Sequence, residues 1–129
     1  MFRIASLTLA SAALLAACST GSVTSAKSPA TTLNGVLVGP TQMTLYVFDK
    51  DAAGSGKSVC NGGCATNWPP LMAPASAAPI GDWSVVMRDD GSKQWAYKGR
   101  PLYHWVKDAK PGDMTGDGFL NNSWHVAKP

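Results

Sequence analysis

The sequence predicts a small, single, all-β domain built from two tandem repeats. All eight acidic residues are aspartate, and the chain has no glutamate. Aspartate favours turns and caps, whereas glutamate is a good helix former. Thirteen glycines and nine prolines separate short runs of alternating apolar residues, a pattern typical of strands joined by tight turns. It does not decide whether the strands close into a barrel or stack as a sandwich.

The first seventeen residues have the order of a secretory leader, with Arg3 followed by an uncharged run over residues 4–15. That run is shorter than the roughly 18 apolar residues needed to span a bilayer as a helix. The prediction is therefore a removable signal peptide over residues 1–17. It would leave residues 18–32, rich in Ser, Thr, Ala and Pro, as a flexible tether, and residues 33–129 as the folded domain.

The tetrad Leu15-Ala16-Ala17-Cys18 resembles the lipobox of bacterial lipoproteins. The resemblance implies cleavage after Ala17 and attachment of acyl chains, such as palmitate, to Cys18. Ser19 in place of aspartate implies sorting to the outer membrane of a diderm host, facing the periplasm. An ordinary signal peptide with a chance cysteine is the alternative. The membrane is thus the first expected partner, through Cys18.

The candidate strands follow one another between turn signals. Glycine, proline and the Asp-Gly pair mark the turns at Gly39-Pro40, Asp89-Asp90-Gly91-Ser92 and Lys98-Gly99-Arg100-Pro101. The Asp-Gly turn predicts a β-hairpin. The strands are expected at Gly35–Val38, Met43–Phe48, Trp83–Met87, Lys93–Tyr97, Leu102–Val106 and Trp124–Val126.

Cys60 and Cys64 remain once Cys18 is assigned to the anchor. An even pair in an oxidising compartment predicts a disulfide, and the two intervening glycines allow so small a ring. A redox-active pair is the less favoured alternative, because thioredoxin-like sites have only two residues between the cysteines.

A shift of 57 residues superposes the first half of the chain on the second. Each unit consists of a strand with two aromatic residues on one face, a polar loop and a tryptophan. The aspartate after the strand is expected to fix the turn by accepting backbone amide hydrogen bonds. The motif residues are Tyr46, Phe48 and Asp51 in repeat one (about 35–71), and Tyr103, Trp105 and Asp108 in repeat two (about 83–129).

These two tracts fit the Tyr-x-aromatic-x-x-Asp pattern, and the chain over about 35–128 resembles the predicted lipoproteins called the secreted repeat of unknown function. The resemblance implies an exported tandem-repeat domain without an established biochemical activity. It also implies, more weakly, an accessory role in alkane use. From this we expect a binding or structural module of the cell envelope.

The charge balance excludes one class of partner and the tryptophan content suggests others. A mature chain of ten basic and eight acidic residues is too weakly charged for nucleic acid. Five tryptophans are many for the core of a chain of this size. Surplus indoles would form a platform for an envelope protein, a glycan or a lipid.

Metal and catalytic chemistry are less favoured. His104 and His125 could meet if their strands pair, with Asp113, Asp117, Met43 or Met114 as further ligands. The loop from Asp113 to Gly118 resembles the start of a calcium loop, but Trp124 stands where a glutamate is required. No nucleophile or phosphate-binding motif occurs. We therefore expect no catalytic residues and no cofactor.

Overall fold

The computed structural model describes residues 27–129. The signal peptide, the lipidated Cys18 and most of the tether predicted from the sequence lie outside the described residues. The described chain is mostly short strands with two short helical segments, so the all-β prediction is confirmed. Its helices are too short and too polar to cross a membrane. The elements are β1 Thr31–Leu33, β2 Val36–Val38, β3 Tyr46–Phe48, α1 Gly63–Asn67, β4 Met72–Ala73, β5 Trp83–Met87, β6 Lys93–Tyr97, β7 Arg100–Pro101, α2 Phe119–Asn122 and β8 Trp124–Val126.

The strands form three small antiparallel sheets: β1 with β2, β3 with β8, and β4-β6-β5 with β7 paired to β6. The β5–β6 hairpin confirms the Asp-Gly turn, since Met87 faces Lys93 and the Asp90 carboxylate accepts the Ser92 amide at 2.9 Å. Within residues 27–129 none of these sheets closes on itself. Single bridges between Tyr46 and Tyr103 and between Pro70 and Tyr103 join them instead.

The two repeats exchange their last strands. β3 of repeat one pairs with β8 of repeat two, with Phe48 opposite Trp124. In return, Tyr103 of repeat two pairs with Pro70 of repeat one, and the His104 amide donates to the Pro69 carbonyl at 2.7 Å. Each repeat therefore completes the backbone hydrogen bonding of the other.

The exchange recurs in two closed triangles of backbone hydrogen bonds. In each triangle every corner donates its amide to one neighbour and accepts from the other, over 2.8–3.0 Å. Two corners come from one repeat and the third comes from the opposing repeat, so the two triangles are equivalent. Their corners are Leu37, Leu45 and Ala127 in one, and Trp95, Leu102 and Leu71 in the other.

The first strand begins at Thr31, two residues before the start predicted for the domain. Residues 31 and 32 were assigned to the tether because Thr-Thr continues its polar composition. The β1 threonines are exposed, so they leave no apolar alternation to recognise. Backbone pairing places them in the sheet, with Thr31 opposite Val38, and Ala30 just before them is already buried.

Strand alternation divides the interior into two clusters. Leu45 and Val47 face one way, and Tyr46 and Phe48 face the other way into an aromatic cluster. The first, which we call the aliphatic cluster although it also holds two tryptophans, consists of Ala30, Leu37, Leu45, Leu71, Ala73, Trp83, Trp95, Leu102 and Ala127. We call the second the aromatic core. It consists of Tyr46, Phe48, Cys60, Trp68, Tyr103, Trp105 and Trp124.

Candidate functional site

Four rings form a continuous stack at the centre of the aromatic core. Phe48 lies 4.2 Å from Trp124, Trp124 lies 3.8 Å from Trp68, and Trp68 lies 4.0 Å from Trp105, measured between ring centroids. The two inner indoles are nearly parallel, at 2°. Each repeat supplies two of the four rings, and these alternate along the stack. The rings therefore tie the repeats together at their equivalent tryptophans.

Gly116 makes this packing possible. A Cβ atom at this position would lie 2.6 Å from the Trp68 ring, closer than any side chain can approach. The glycine that looked like part of a calcium loop therefore has a packing role, because it lets the loop backbone lie against the stack.

The tyrosine and aspartate of the repeat motif pair across the repeats. The Tyr46 hydroxyl donates to Oδ2 of Asp108 at 2.6 Å, and the Tyr103 hydroxyl donates to Oδ2 of Asp51. Each carboxylate uses its other oxygen for its own loop, where Oδ1 of Asp51 accepts the Val59 amide at 2.8 Å. The predicted turn-fixing role thus accounts for one oxygen of each aspartate. The second oxygen makes a contact between the repeats that the sequence did not predict.

Burial and the acidic partner raise the pKa of Tyr46 and of Tyr103 well above the ordinary value of 10.0. The unfolded chain ionises these phenols near pH 10, while the native state keeps them protonated. Their stabilising contribution is therefore complete below about pH 10 and is lost as the pH rises towards the native-state pKa values.

We expect the free energy of unfolding to fall above about pH 10, by up to about 1.4 kcal/mol per pH unit for each buried tyrosine. Urea unfolding at several alkaline pH values, with phenolate absorbance recorded in parallel, measures this slope. Tyr46→Phe and Tyr103→Phe each remove one buried phenol, so each variant should lose the part of the slope that this phenol contributes. An unchanged slope in both variants would show that other groups cause the alkaline loss.

A buried arginine holds the disulfide loop against repeat two. Arg88 is 6% exposed, and its guanidinium donates to the Cys60 carbonyl at 2.6 Å, to Gln94 Oε1 at 2.8 Å and to Ser58 Oγ at 3.1 Å. The Ser58 hydroxyl in turn meets the Tyr103 hydroxyl at 2.5 Å. No sequence pattern predicts that Arg88 is buried, because an arginine beside an Asp-Gly turn has the pattern of an exposed residue.

Asp51 lies at the end of this hydrogen-bonded chain. Burial raises the pKa of its carboxyl, while the Tyr103 hydroxyl, the Val59 amide and the Arg88 charge act in the opposite direction. The side chains of the cluster leave no buried polar atom unsatisfied within the described residues. Ser58 is itself buried, so its hydroxyl is not presented to a substrate, and the cluster has a structural role.

The predicted disulfide between Cys60 and Cys64 is confirmed, with the two Cα atoms 5.2 Å apart. Cys60 is fully buried in the aromatic core. Cys64 is only partly buried, but the Arg88 guanidinium holds the loop by donating to the Cys60 carbonyl, which favours the structural interpretation.

Loss of the disulfide should destabilise the domain modestly, because the ring it closes is short. We expect Cys60→Ala/Cys64→Ala to lower the free energy of unfolding by about 2 kcal/mol. Urea unfolding of this variant against the oxidised protein tests the value, and the reduced protein should give a similar loss. A loss above about 4 kcal/mol would exceed what ring closure can supply.

The proposed tryptophan platform is wrong. Trp68, Trp83, Trp95, Trp105 and Trp124 are all buried, none being more than 8% exposed. Two separate clusters take them up: three lie in the aromatic core, and Trp83 meets Trp95 edge-on in the aliphatic cluster. The two-core arrangement can therefore hold more indoles than a single small core.

The structure does not bring His104 and His125 together, as a metal site between them would require. β3 lies between their segments, because it pairs with Tyr103 on one side and with β8 on the other. His125 Nε2 instead lies 2.8 Å from Asp49 Oδ2. Burial lowers the pKa of His104. The strand exchange separates the two histidines.

The acidic residues suggested as metal ligands bond to the chain itself. Oδ2 of Asp113 accepts the amides of Ala109 and Lys110 at 2.9 and 3.2 Å, and Oδ1 of Asp117 accepts the Val126 amide at 3.1 Å. Over residues 27–129, no three His, Cys, Asp or Glu side chains are grouped as a metal site requires.

A cavity of about 600 Å³ lies between the β3–β8 pair and the β6–β7 turn. Its apolar wall includes Val47 and Tyr97, and its polar edge includes the His125–Asp49 pair. We call it the basic groove, because three cations also line it: Lys98, Arg100 and Lys128. None of the three forms an ion pair within the described chain.

The opposing repeat has a different cavity at the corresponding place. The repeat shift relates Val47 to His104 and Asp49 to Val106, and the tryptophan alignment relates His125 to Pro69. His104, Val106 and Pro69 line a cavity of about 300 Å³. The two repeats therefore share a framework, but only one has the cations and the His-Asp pair. No sequence pattern predicts this difference, because Lys98 and Arg100 resemble ordinary turn residues.

The fold and the groove define a two-repeat β domain with exchanged strands, a shared aromatic core and one basic groove. The family model for a secreted repeat of unknown function matches residues 29–72 and 84–128, and the chain belongs to this family. Both matches contain a complete Tyr-x-aromatic-x-x-Asp tract. Searches of curated proteins and of solved structures return no significant match.

Proposed function

We propose that this protein is a ligand-binding module of the cell envelope, anchored to the outer membrane through acyl chains on Cys18. The observation that carries the binding role is the basic groove. Its volume of about 600 Å³ falls within the range of small-molecule sites, roughly 300–1,000 Å³. Membership of a family described as secreted supports a position outside the cytoplasm.

The groove favours binding over catalysis. Its lining contains no serine, threonine or cysteine that the His125–Asp49 pair could activate as a nucleophile. The metal and redox alternatives have less support, since His104 and His125 line different cavities and Cys60 is buried. An accessory role in alkane use would also require the groove to bind a small molecule.

Metabolic labelling with an alkyne palmitate analogue tests the anchor. The wild-type protein should incorporate the label and sediment with outer-membrane vesicles, whereas Cys18→Ser should stay unlabelled and should be absent from the outer-membrane fraction. Mature protein that still carries Met1, or labelling that persists in Cys18→Ser, would contradict the proposal.

Spectral mapping tests the binding role. The Cys18→Ser protein keeps every described residue, so its methyl and histidine NMR signals report on the intact groove. Small molecules from an envelope extract should shift the signals of Val47 and His125 saturably. Shifts confined to residues outside the groove would show that the groove is not the binding site.

A further inference from the structure

We infer that the basic groove binds a small amphiphilic carboxylate, with its anionic head at the Lys98–Arg100 turn and its apolar body against β3 and β8. This inference rests on the proposed binding function and names the chemistry of the ligand. Three features of the groove support it: its unpaired cations, the position of Arg100 and its apolar wall.

The charges lining the groove are unevenly matched. Asp49 is engaged by His125, and Asp117 by the Val126 amide. Both acidic side chains therefore already have partners, while Lys98, Arg100 and Lys128 have no ion-pair partner in the described chain. An anion entering the groove meets cations that it can pair with directly.

The position of Arg100 suits a carboxylate head. Its backbone is held opposite Tyr97 in the β6–β7 pairing, so the guanidinium projects from a defined point of the turn. An arginine fork matches the two oxygens of a carboxylate with parallel hydrogen bonds. Lys98 lies two residues before it in the same turn and adds a second positive charge.

The apolar wall calls for more than a simple inorganic anion. Val47 and Tyr97 are only partly buried where they line the groove. A bound alkyl chain would cover them, and each methylene removed from water strengthens binding by about fourfold. The cavity of the opposing repeat has Pro69 and Val106 in place of the His-Asp pair and has no lysine or arginine in its lining. It should therefore not prefer a carboxylate over a neutral ligand.

NMR titration of the Cys18→Ser protein with sodium octanoate, octanol and octylammonium chloride tests the inference. Octanoate should shift the Val47 and His125 signals saturably, and octanol should bind at least about tenfold more weakly. Arg100→Gln should weaken octanoate about five- to tenfold and leave octanol unchanged. Lys57→Gln, an exposed lysine outside the groove, is the matched control and should change neither ligand.

The alternative outcomes separate this inference from the proposed function. Saturable groove shifts with octanol or octylammonium as strong as those with octanoate would overturn the carboxylate and leave a binding groove. Inorganic phosphate binding as tightly as octanoate would overturn the apolar body. If none of these probes and no component of the envelope extract shifts the groove signals, the binding function itself is wrong.

Discussion

Trp124→Ala should lower the free energy of unfolding by about 3–5 kcal/mol, the cost typical of deleting a buried aromatic side chain. Trp124 has no exposed surface and touches three rings: Phe48 and Trp68 in the stack, and Tyr103 edge-on at 5.0 Å. Such ring pairs add about 0.5–1.5 kcal/mol each beyond the area they bury. Small domains are stable by only about 5–15 kcal/mol, so this substitution can remove much of the total.

Urea unfolding monitored by far-UV circular dichroism measures the effect. Phe119→Ala is the control, because Phe119 is 42% exposed at the edge of the same stack, and it should cost less than about 1.5 kcal/mol. Trp124→Phe keeps a ring in place and should fall between the two. A loss below 1 kcal/mol for Trp124→Ala would mean that the stack does not hold the repeats together.

Asp108→Ala should cost about 2–4 kcal/mol, because it strands the buried Tyr46 hydroxyl and removes the acceptor for the Thr115 amide. Asp51→Ala should have a similar effect through Tyr103 and Val59. Each loss combines the contact between the repeats with the amide hydrogen bond in the aspartate's own loop.

A double-mutant cycle isolates the crossed contact. Asp108→Ala in a Tyr46→Phe background should cost about 1–2 kcal/mol less than in the wild type, because no hydroxyl is then left unpaired. Asp51→Ala with Tyr46→Phe is the matched control. These two side chains share no hydrogen-bond partner, so their effects should add to within about 0.5 kcal/mol. Equal coupling in both cycles would contradict the exchanged arrangement.

Several features of the fold could be predicted because they depend on residues close in sequence. The β5–β6 hairpin follows from the Asp-Gly turn, and the disulfide follows from two cysteines in one short loop. The face shared by Tyr46 and Phe48 follows from the two-residue period of a strand. The start of β1 could not be predicted, because its exposed threonines carry no apolar pattern. The burial of Arg88 could not be predicted either, because it depends on a loop almost thirty residues away.

Residue patterns are enough to predict that the domain is built of β-strands, that its framework occurs twice, and which motif residues are equivalent in the two copies. Three features depend instead on how distant segments pack: Tyr46 pairs with Asp108 and not with Asp51, β3 separates His104 from His125, and all five indoles are buried. The physical reason is that strand periodicity specifies the face on which a side chain lies, but not the strand beside it. When two equivalent repeats offer the same strand, the choice between them depends on how the whole chain packs.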